Sequence, residues 1–261
     1  MPLRKFQGLE YYCFESFERY GLIHGLYTRT GGVSPAPWKS LNLGGTTGDE
    51  RDNIIENRKR IFESINRPVE SIFDVWQVHG TICIASNVPR PLDGKHHPAD
   101  IILTNSRDIT LMMRFADCVP IFLYDPTNHA IAMVHAGWQG TVDQACAHAV
   151  AAMQENYNSS PKDIIAGIGP SIGPDHYEVG PDVIEKVKQA FPSTFPQLFN
   201  QKGQSTFLDL WQANAFTLAA SGVSQIEISE VCTACDTNRW FSHRAERGKT
   251  GRFGAVLALP G

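Results

Sequence analysis

Between residues 100 and 134 four short runs of branched and aromatic residues follow one another with no room for a helix: 100–103, 110–115, 120–124 and 130–134. Such runs, closely spaced and bounded by turn residues, read as β-strands. A chain with this block at its centre must build a sheet and must find something to cover it. Further strands are expected at 22–29, 72–78, 81–86, 164–168, 225–229 and 253–259. Covering helices are expected at 49–66, 139–157, 181–191 and 208–221, where apolar residues recur every three or four positions. Asp52 is the expected cap of the first of these, and residues 89–98, with their prolines, read as a loop.

The 261 residues are enough for one large domain or two small ones. Apolar residues are 42% of the chain, enough for a substantial core. There is no internal repeat and no long linker. The expected architecture is therefore α+β: a single domain over residues 1–261, with mixed β-sheets flanked by helices. Strand order does not follow from the pattern.

The net charge of −4 gives no global basic field, so neither nucleic acid nor an anionic membrane is an expected partner. The most apolar stretch, 109–124, is broken by Arg114, Asp117 and Pro120 and is too short to span a bilayer. Residues 1–12 lack the apolar stretch of a secretory signal. The six cysteines do not form the framework of a small secreted domain, so a cytoplasmic, reducing setting is expected.

Three motifs sit at strand ends: Gln77-Val78-His79-Gly80, Ala116-Asp117-Cys118-Val119-Pro120 and Val134-His135-Ala136-Gly137-Trp138. Each offers one borderline or soft ligand. The spacings are far longer than in a zinc finger and suit ligands from neighbouring strands. Two imidazoles and one thiolate would hold zinc with a fourth position open, which is the arrangement of a catalytic site. Taken singly, a residue like Cys118 is most often a small core residue, and a lone histidine is most often a satisfied polar group.

The ordered set QVHG, ADCVP, HAGWQGT, GIGPSIG and the C-terminal CT, FSHR and GKTGR resembles the laccase-domain family, also called multicopper polyphenol oxidases. The resemblance runs from TRTGGVS near residue 30 to GKTGR near residue 250. It implies that His79, Cys118 and His135 bind zinc as one catalytic ion. It also implies a purine nucleoside phosphorylase with adenosine deaminase activity. Its expected partners are phosphate and adenosine, inosine, guanosine or methylthioadenosine. By motif position, Arg29, Asn42 and Arg58 are implied pocket residues, and Arg244 of FSHR is expected to help close the pocket.

A true multicopper set needs more histidines than this. The chain has nine and no His-x-His, so one catalytic metal fits and four do not. Copper remains an alternative occupant, since divalent affinity rises towards copper.

Deamination at purine C6 needs an activated water, which zinc supplies near neutral pH. The zinc deaminases use a glutamate in an H-x-E pattern that this chain lacks, although Cys232-Thr233-Ala234-Cys235 is a C-x-x-C. Asp117 is the nearest candidate for proton transfer, and a purely positioning role fits it as well. Phosphate suits an arginine fork, and Arg114 stands just before the cysteine motif. Residues 137–141 open a helix and form either an anion site or a plain turn capped by Thr141.

Asp175-His176 stand where many family members carry cysteines, which leaves a contact of His176 and Cys235 with a further metal as a minor option. Three other functions compete with the phosphorylase. Cys118 with His135 would make a cysteine hydrolase or amidase, suited to editing peptidoglycan precursors as some family members are linked to. A copper-dependent polyphenol oxidase keeps the metal and changes the reaction. A non-enzymatic module would use the metal only to brace the fold.

Overall fold

A computed structural model describes residues Met1–Gly261. The strands, in chain order, are β1 (Leu3–Phe6), β2 (Leu9–Tyr12), β3 (Ile23–Tyr27), β4 (Ile72–Phe73), β5 (Cys83–Ala85), β6 (Ile101–Thr104), β7 (Thr110–Phe115) and β8 (Val119–Asp125). They continue as β9 (Ala130–Ala136), β10 (Ile165–Ile168), β11 (Glu178–Val179), β12 (Phe199–Lys202), β13 (Ser205–Leu208), β14 (Gln225–Ile228) and β15 (Phe253–Ala258). The helices are α1 (Glu15–Glu18), α2 (Arg51–Ser64), α3 (Trp138–Val142), α4 (Ala145–Tyr157), α5 (Pro181–Ala190) and α6 (Leu210–Ala220).

One sheet has the order β1-β2-β3-β15-β7-β4, a second has β14-β10-β8-β9-β6-β5, and a small third has β11-β13-β12. Both large sheets are mixed. β4 is parallel to β7 in the first, and β10–β14 and β5–β6 are parallel pairs in the second. The central β10–β8–β9–β6 ladder is antiparallel.

The two-residue period of the strands sorts their side chains into separate cores. Phe122 and Tyr124 of β8 and Ile131 and Met133 of β9 meet Leu111, Met113 and Phe115 of β7 and Phe253, Ala255 and Leu257 of β15. That core lies between the sheets. The alternate residues of β8 and β9 instead meet α4, α5 and α6 through Cys146, Ala149, Met153, Val187 and Leu218. Met112 and Val256 turn the other way and meet Ile61 and Phe62 of α2. The layers are thus helix, sheet, sheet and helices, an α+β fold. β8 and β9 are buried at every position because both of their faces are covered. Truncating a side chain such as Phe122 there would cost about 3–5 kcal/mol.

The structure corrects several expectations. The strand expected over 72–78 ends at Phe73. Beyond it, the Gln77 side chain takes the place of a strand partner: its amide donates to the Arg114 carbonyl at 2.8 Å and accepts the Arg114 N–H at 3.0 Å. His79 therefore stands in a loop, at φ 63°. The long helix expected over 139–157 is two helices, broken where Gln144 turns left-handed at φ 60°. Thr141 lies inside α3 rather than capping a helix, and its hydroxyl accepts from Asn214 at 2.9 Å. Glu50 occupies the N-cap position of α2 without a side-chain cap bond, and Asp52 lies in the first turn, where a carboxylate still favours the helix dipole. β1, β2, α1 and the third sheet were not expected from the sequence.

Candidate active site

β8 and β9 are neighbours with Val119 opposite Ala136 and Pro120 opposite His135. This register brings Cys118, just before β8, beside His135 near the end of β9. Asp117 is held at φ 83°, and the sharp turn it makes between β7 and β8 puts Cys118 at the sheet edge. His79 arrives on its own loop. One ligand atom each from His79, Cys118 and His135 lie within 4.8 Å of one another, and the imidazole rings cross at 73° with centroids 4.9 Å apart. The set grades from exposed His79 through half-buried Cys118 to buried His135.

Asp100 organises this group. It precedes β6, which pairs with β9, and its carbonyl accepts the His135 N–H at 2.8 Å. Its carboxylate oxygen Oδ1 lies 2.7 Å from His135 Nδ1. An ionised carboxylate only accepts, so Nδ1 carries a proton, and Nε2 is the nitrogen left to face a metal once the ring is neutral. The same carboxylate accepts the N–H groups of Val78, His79 and Gly80 at 3.2, 3.0 and 2.7 Å. One side chain thus orients one histidine and straps down the loop of the other. Burial alone would push the Asp100 carboxyl up, but the bonds from His135, Gly80 and His79 hold it below its ordinary value.

Burial would likewise raise the Cys118 thiol. The charge and hydrogen bonding of His135, followed by His79, bring it down to about 6. Burial disfavours the His135 cation, yet Cys118 and Asp100 raise it to about 9. The pocket therefore favours a thiolate, the form that ligates metals and attacks electrophiles. Borderline imidazoles and a soft thiolate fit zinc, or copper, in the number that leaves a position open. A Cβ on Gly137 would meet Cys118 Sγ at 3.0 Å and His79 Cδ2 at 3.4 Å, so the residue after Ala136 must be small.

The group opens onto a cavity of about 280 Å³ lined by His79, Asp117, Cys118, Gly137, Trp138, Gln139, Ile172, Tyr177 and Leu210. Asp117 lines it with both carboxylate oxygens engaged. Oδ1 accepts from the Thr233 hydroxyl and Oδ2 from the Arg244 N–H, each at 2.7 Å. Arg244 lies at the rim, with its guanidinium 5.0 Å from the ring centre of Tyr177.

The other expected pocket residues lie elsewhere. Arg29 donates to the carbonyls of Lys39 and Thr237, pairs with Glu246 at 3.0 Å and stacks on Phe241. It faces a separate depression with Lys39, Ser40 and Asn238. Asn42 is buried, bonded to Thr47, Asp49, Gly44 and Arg252. Arg114 pairs with Asp74 at 2.9 Å and donates to the Val75 carbonyl, and Arg90 pairs with Asp74 at 2.6 Å. Arg58 belongs to the same cationic group, with a buried Nε that lacks a partner.

Asp100 and Tyr177 were not singled out from the sequence, and Gln139 was marked only as part of the 137–141 segment. Asp100 carried one faint signal, an acidic residue at the head of a buried strand. Arg252, the arginine of GKTGR, feels the negative charge of Cys118 and Asp117, while burial lowers its pKa overall.

The chain belongs to the family described as multi-copper polyphenol oxidoreductase laccase, whose model matches residues 23–260. Among its relatives is the purine nucleoside phosphorylase YlmD of Geobacillus stearothermophilus, 35% identical over 91% of this chain and 90% of that one. The purine nucleoside phosphorylase YfiH of Escherichia coli is 34% identical over 89% and 91%. The crystal structure of Bacillus licheniformis hypothetical protein YfiH superposes with a TM-score of 0.91 at 30% identity, covering 99% of both chains. No helix is long and apolar enough to cross a membrane.

Proposed function

We propose that this chain is a metal-dependent purine nucleoside phosphorylase with accompanying adenosine deaminase activity, built as one catalytic domain over residues 1–261. Its ion, zinc by preference, is held by His79, Cys118 and His135. The observation that carries this is the opening of the three converging donors onto a cavity near the lower end of small-molecule pocket sizes. The names of the relatives supply the substrate class. The residues present do not fit a four-copper oxidase, because only two of nine histidines converge here.

In phosphorolysis a phosphate oxygen bonds to ribose C1′ as the bond from C1′ to the purine nitrogen breaks, and the base leaves with the electron pair. In deamination water replaces the C6 amine and ammonia leaves. A bound divalent ion supplies a Lewis acid for either. The protein orients and neutralises. Tyr177 and Trp138 offer flat faces to a purine, and the Gln139 amide offers a donor and an acceptor. Arg244, beside the cavity-lining Tyr177, and Arg252, which feels the charge of Cys118 and Asp117, supply positive charge for phosphate. Asp117, fully hydrogen-bonded, positions Arg244. Arg29, Asn42, Arg58 and Arg114 brace the surrounding loops. The cytoplasm, which keeps the Cys118 thiol reduced, is the expected location.

Incubation of zinc-loaded protein with adenosine, inosine or guanosine, with and without phosphate, tests this. Phosphate-dependent release of free base and ribose 1-phosphate, lost in Cys118→Ala, is the expected result. No turnover of any purine nucleoside would overturn it. The thiolate of Cys118 beside His135 favours a second reading, a cysteine hydrolase. That reading requires metal-free protein to be the active form.

A further inference from the structure

A second group of metal-binding side chains lies outside the cavity. β10 and β14 are parallel neighbours, so the segments that follow them leave the sheet at the same end. Ser171 and Cys232 continue the pairing as a parallel bridge, and the Thr233 N–H donates to the Ser171 carbonyl at 2.9 Å. This alignment brings Asp175 and His176 from one loop against Cys232 and Cys235 from the other.

The donors are already close. His176 Nδ1 lies 3.7 Å from Cys232 Sγ, 3.5 Å from Cys235 Sγ and 3.0 Å from Asp175 Oδ2. Cys235 Sγ lies 3.2 Å from Asp175 Oδ2. All four donors fall within 4.8 Å of one another. A tetrahedral zinc with bonds of about 2.0–2.3 Å sets its donors about 3.3–3.8 Å apart. Small side-chain shifts suffice to reach that geometry. The Gly173 N–H, 3.1 Å from Cys232 Sγ, stabilises negative charge on that sulfur. Lys202 Nζ reaches the Asp175 carbonyl at 3.4 Å and offsets the excess of anionic ligands.

We propose that Asp175, His176, Cys232 and Cys235 form a second zinc site, closed and structural, separate from the His79–Cys118–His135 group. Two thiolates, one imidazole and one carboxylate complete four-coordination and leave no position for substrate. The site joins two loops that shape the cavity wall. Ile172 and Tyr177 line the cavity from the first loop, and the Thr233 hydroxyl holds Asp117 from the second. Zinc here fastens the wall against which substrate rests.

The test is metal content of the reduced, full-length protein after zinc loading and gel filtration. Folding is checked by circular dichroism, and Cys118→Ala removes one ligand of the cavity group. One tightly bound zinc is expected to remain in Cys118→Ala and to be lost when Cys235→Ser or His176→Ala is added. Cobalt loaded into Cys118→Ala is expected to show a sulfur-to-metal charge-transfer band that Cys235→Ser removes. Folded Cys118→Ala that binds no zinc would overturn the proposal. So would zinc retained unchanged after Cys235→Ser, or a disulfide between Cys232 and Cys235 in protein prepared without oxidant. Equal zinc in wild type and Cys118→Ala, lost with Cys235→Ser, upholds this site and counts against metal in the cavity. The two assignments therefore fail separately.

Discussion

The two donor groups share their chemistry and differ in their surroundings. Cys118 and His135 sit at one end of two central strands buried on both faces, with His79 on a loop beside them, and a buried carboxylate bonds His135 and the His79 loop. Asp175, His176, Cys232 and Cys235 sit in loops, and three of the four are exposed. The first has three donors beside a cavity, whereas the second has four donors, none of which lines that cavity. Histidine and cysteine donors thus suit the open centre proposed in one place and, joined by a carboxylate, the closed clamp proposed in the other. The difference comes from what the backbone leaves beside them, since Asp100 is spent on orienting His135 while Asp175 is free to ligate.

The largest expected difference is in thiol reactivity. In metal-free reduced protein, the pocket histidines hold the Cys118 thiol down at about 6. Desolvation, Asp175 and Cys232 push the Cys235 thiol up. Alkylation at pH 7 followed by peptide mass spectrometry is expected to label Cys118 at least about 100-fold faster, because the thiolate is the nucleophile. Its rate is expected to rise with pH to a plateau above about 6, and zinc is expected to protect it. Equal rates at the two cysteines would erase the contrast.

Asp100→Ala comes next. It frees the His135 ring and three backbone N–H groups together. Zinc affinity at the cavity group is expected to fall about 10–100-fold, with no change at Asp175–Cys235. Competition with a chromophoric chelator measures both.

Asp74→Asn is expected to destabilise the fold by about 3–5 kcal/mol in urea unfolding, since it strands Arg90 and Arg114. Burial opposes ionisation of Asp74, but His96, Arg114 and Arg90 hold its carboxyl well below the ordinary range. Its folded pKa is depressed, so its contribution is complete above the unfolded value of about 4 and is lost as pH falls towards the folded one. The acid limb of wild-type stability between about pH 4 and 2 is expected to flatten in the variant. An unchanged limb would place the acid sensitivity in another carboxylate.

The smallest effect is assigned to Gly137→Ala. Its methyl would press on Cys118 Sγ, so a few-fold loss of zinc affinity at the cavity group is expected, with the Cys232 loop unaffected. Titration of the two sites in the same preparation gives the comparison.

The elements most legible in the sequence are those covered on both faces. Thr110–Phe115 matches its expected bounds, and β8, β9 and β10 differ from theirs by one or two residues. Burial of both faces writes itself as an unbroken apolar run. β11, β12 and β13 are half-exposed and short, so no periodicity marked them. The end of β4 and the break at Gln144 escaped for another reason, since a side-chain bond and a left-handed residue decide them. Of the site, His79, Cys118 and His135 stood out because their motifs are long. The arginines did not sort themselves, because residue type announces a cation and says nothing of its partner.

Local pattern alone determined that this chain builds buried sheets covered by helices, and that His79, Cys118 and His135 are its most distinctive candidate ligands. These properties are written in neighbouring residues, as runs of apolar side chains and as short motifs. Only the tertiary structure decided that Asp100 serves two histidines, that Arg29 faces away from the cavity, and that Cys232-Thr233-Ala234-Cys235 meets Asp175-His176. The first and last depend on strand register across the sheet, and the second on the carbonyls and the carboxylate that hold Arg29. Pairing between residues distant in the chain is set by the packing of whole layers, which no local pattern contains.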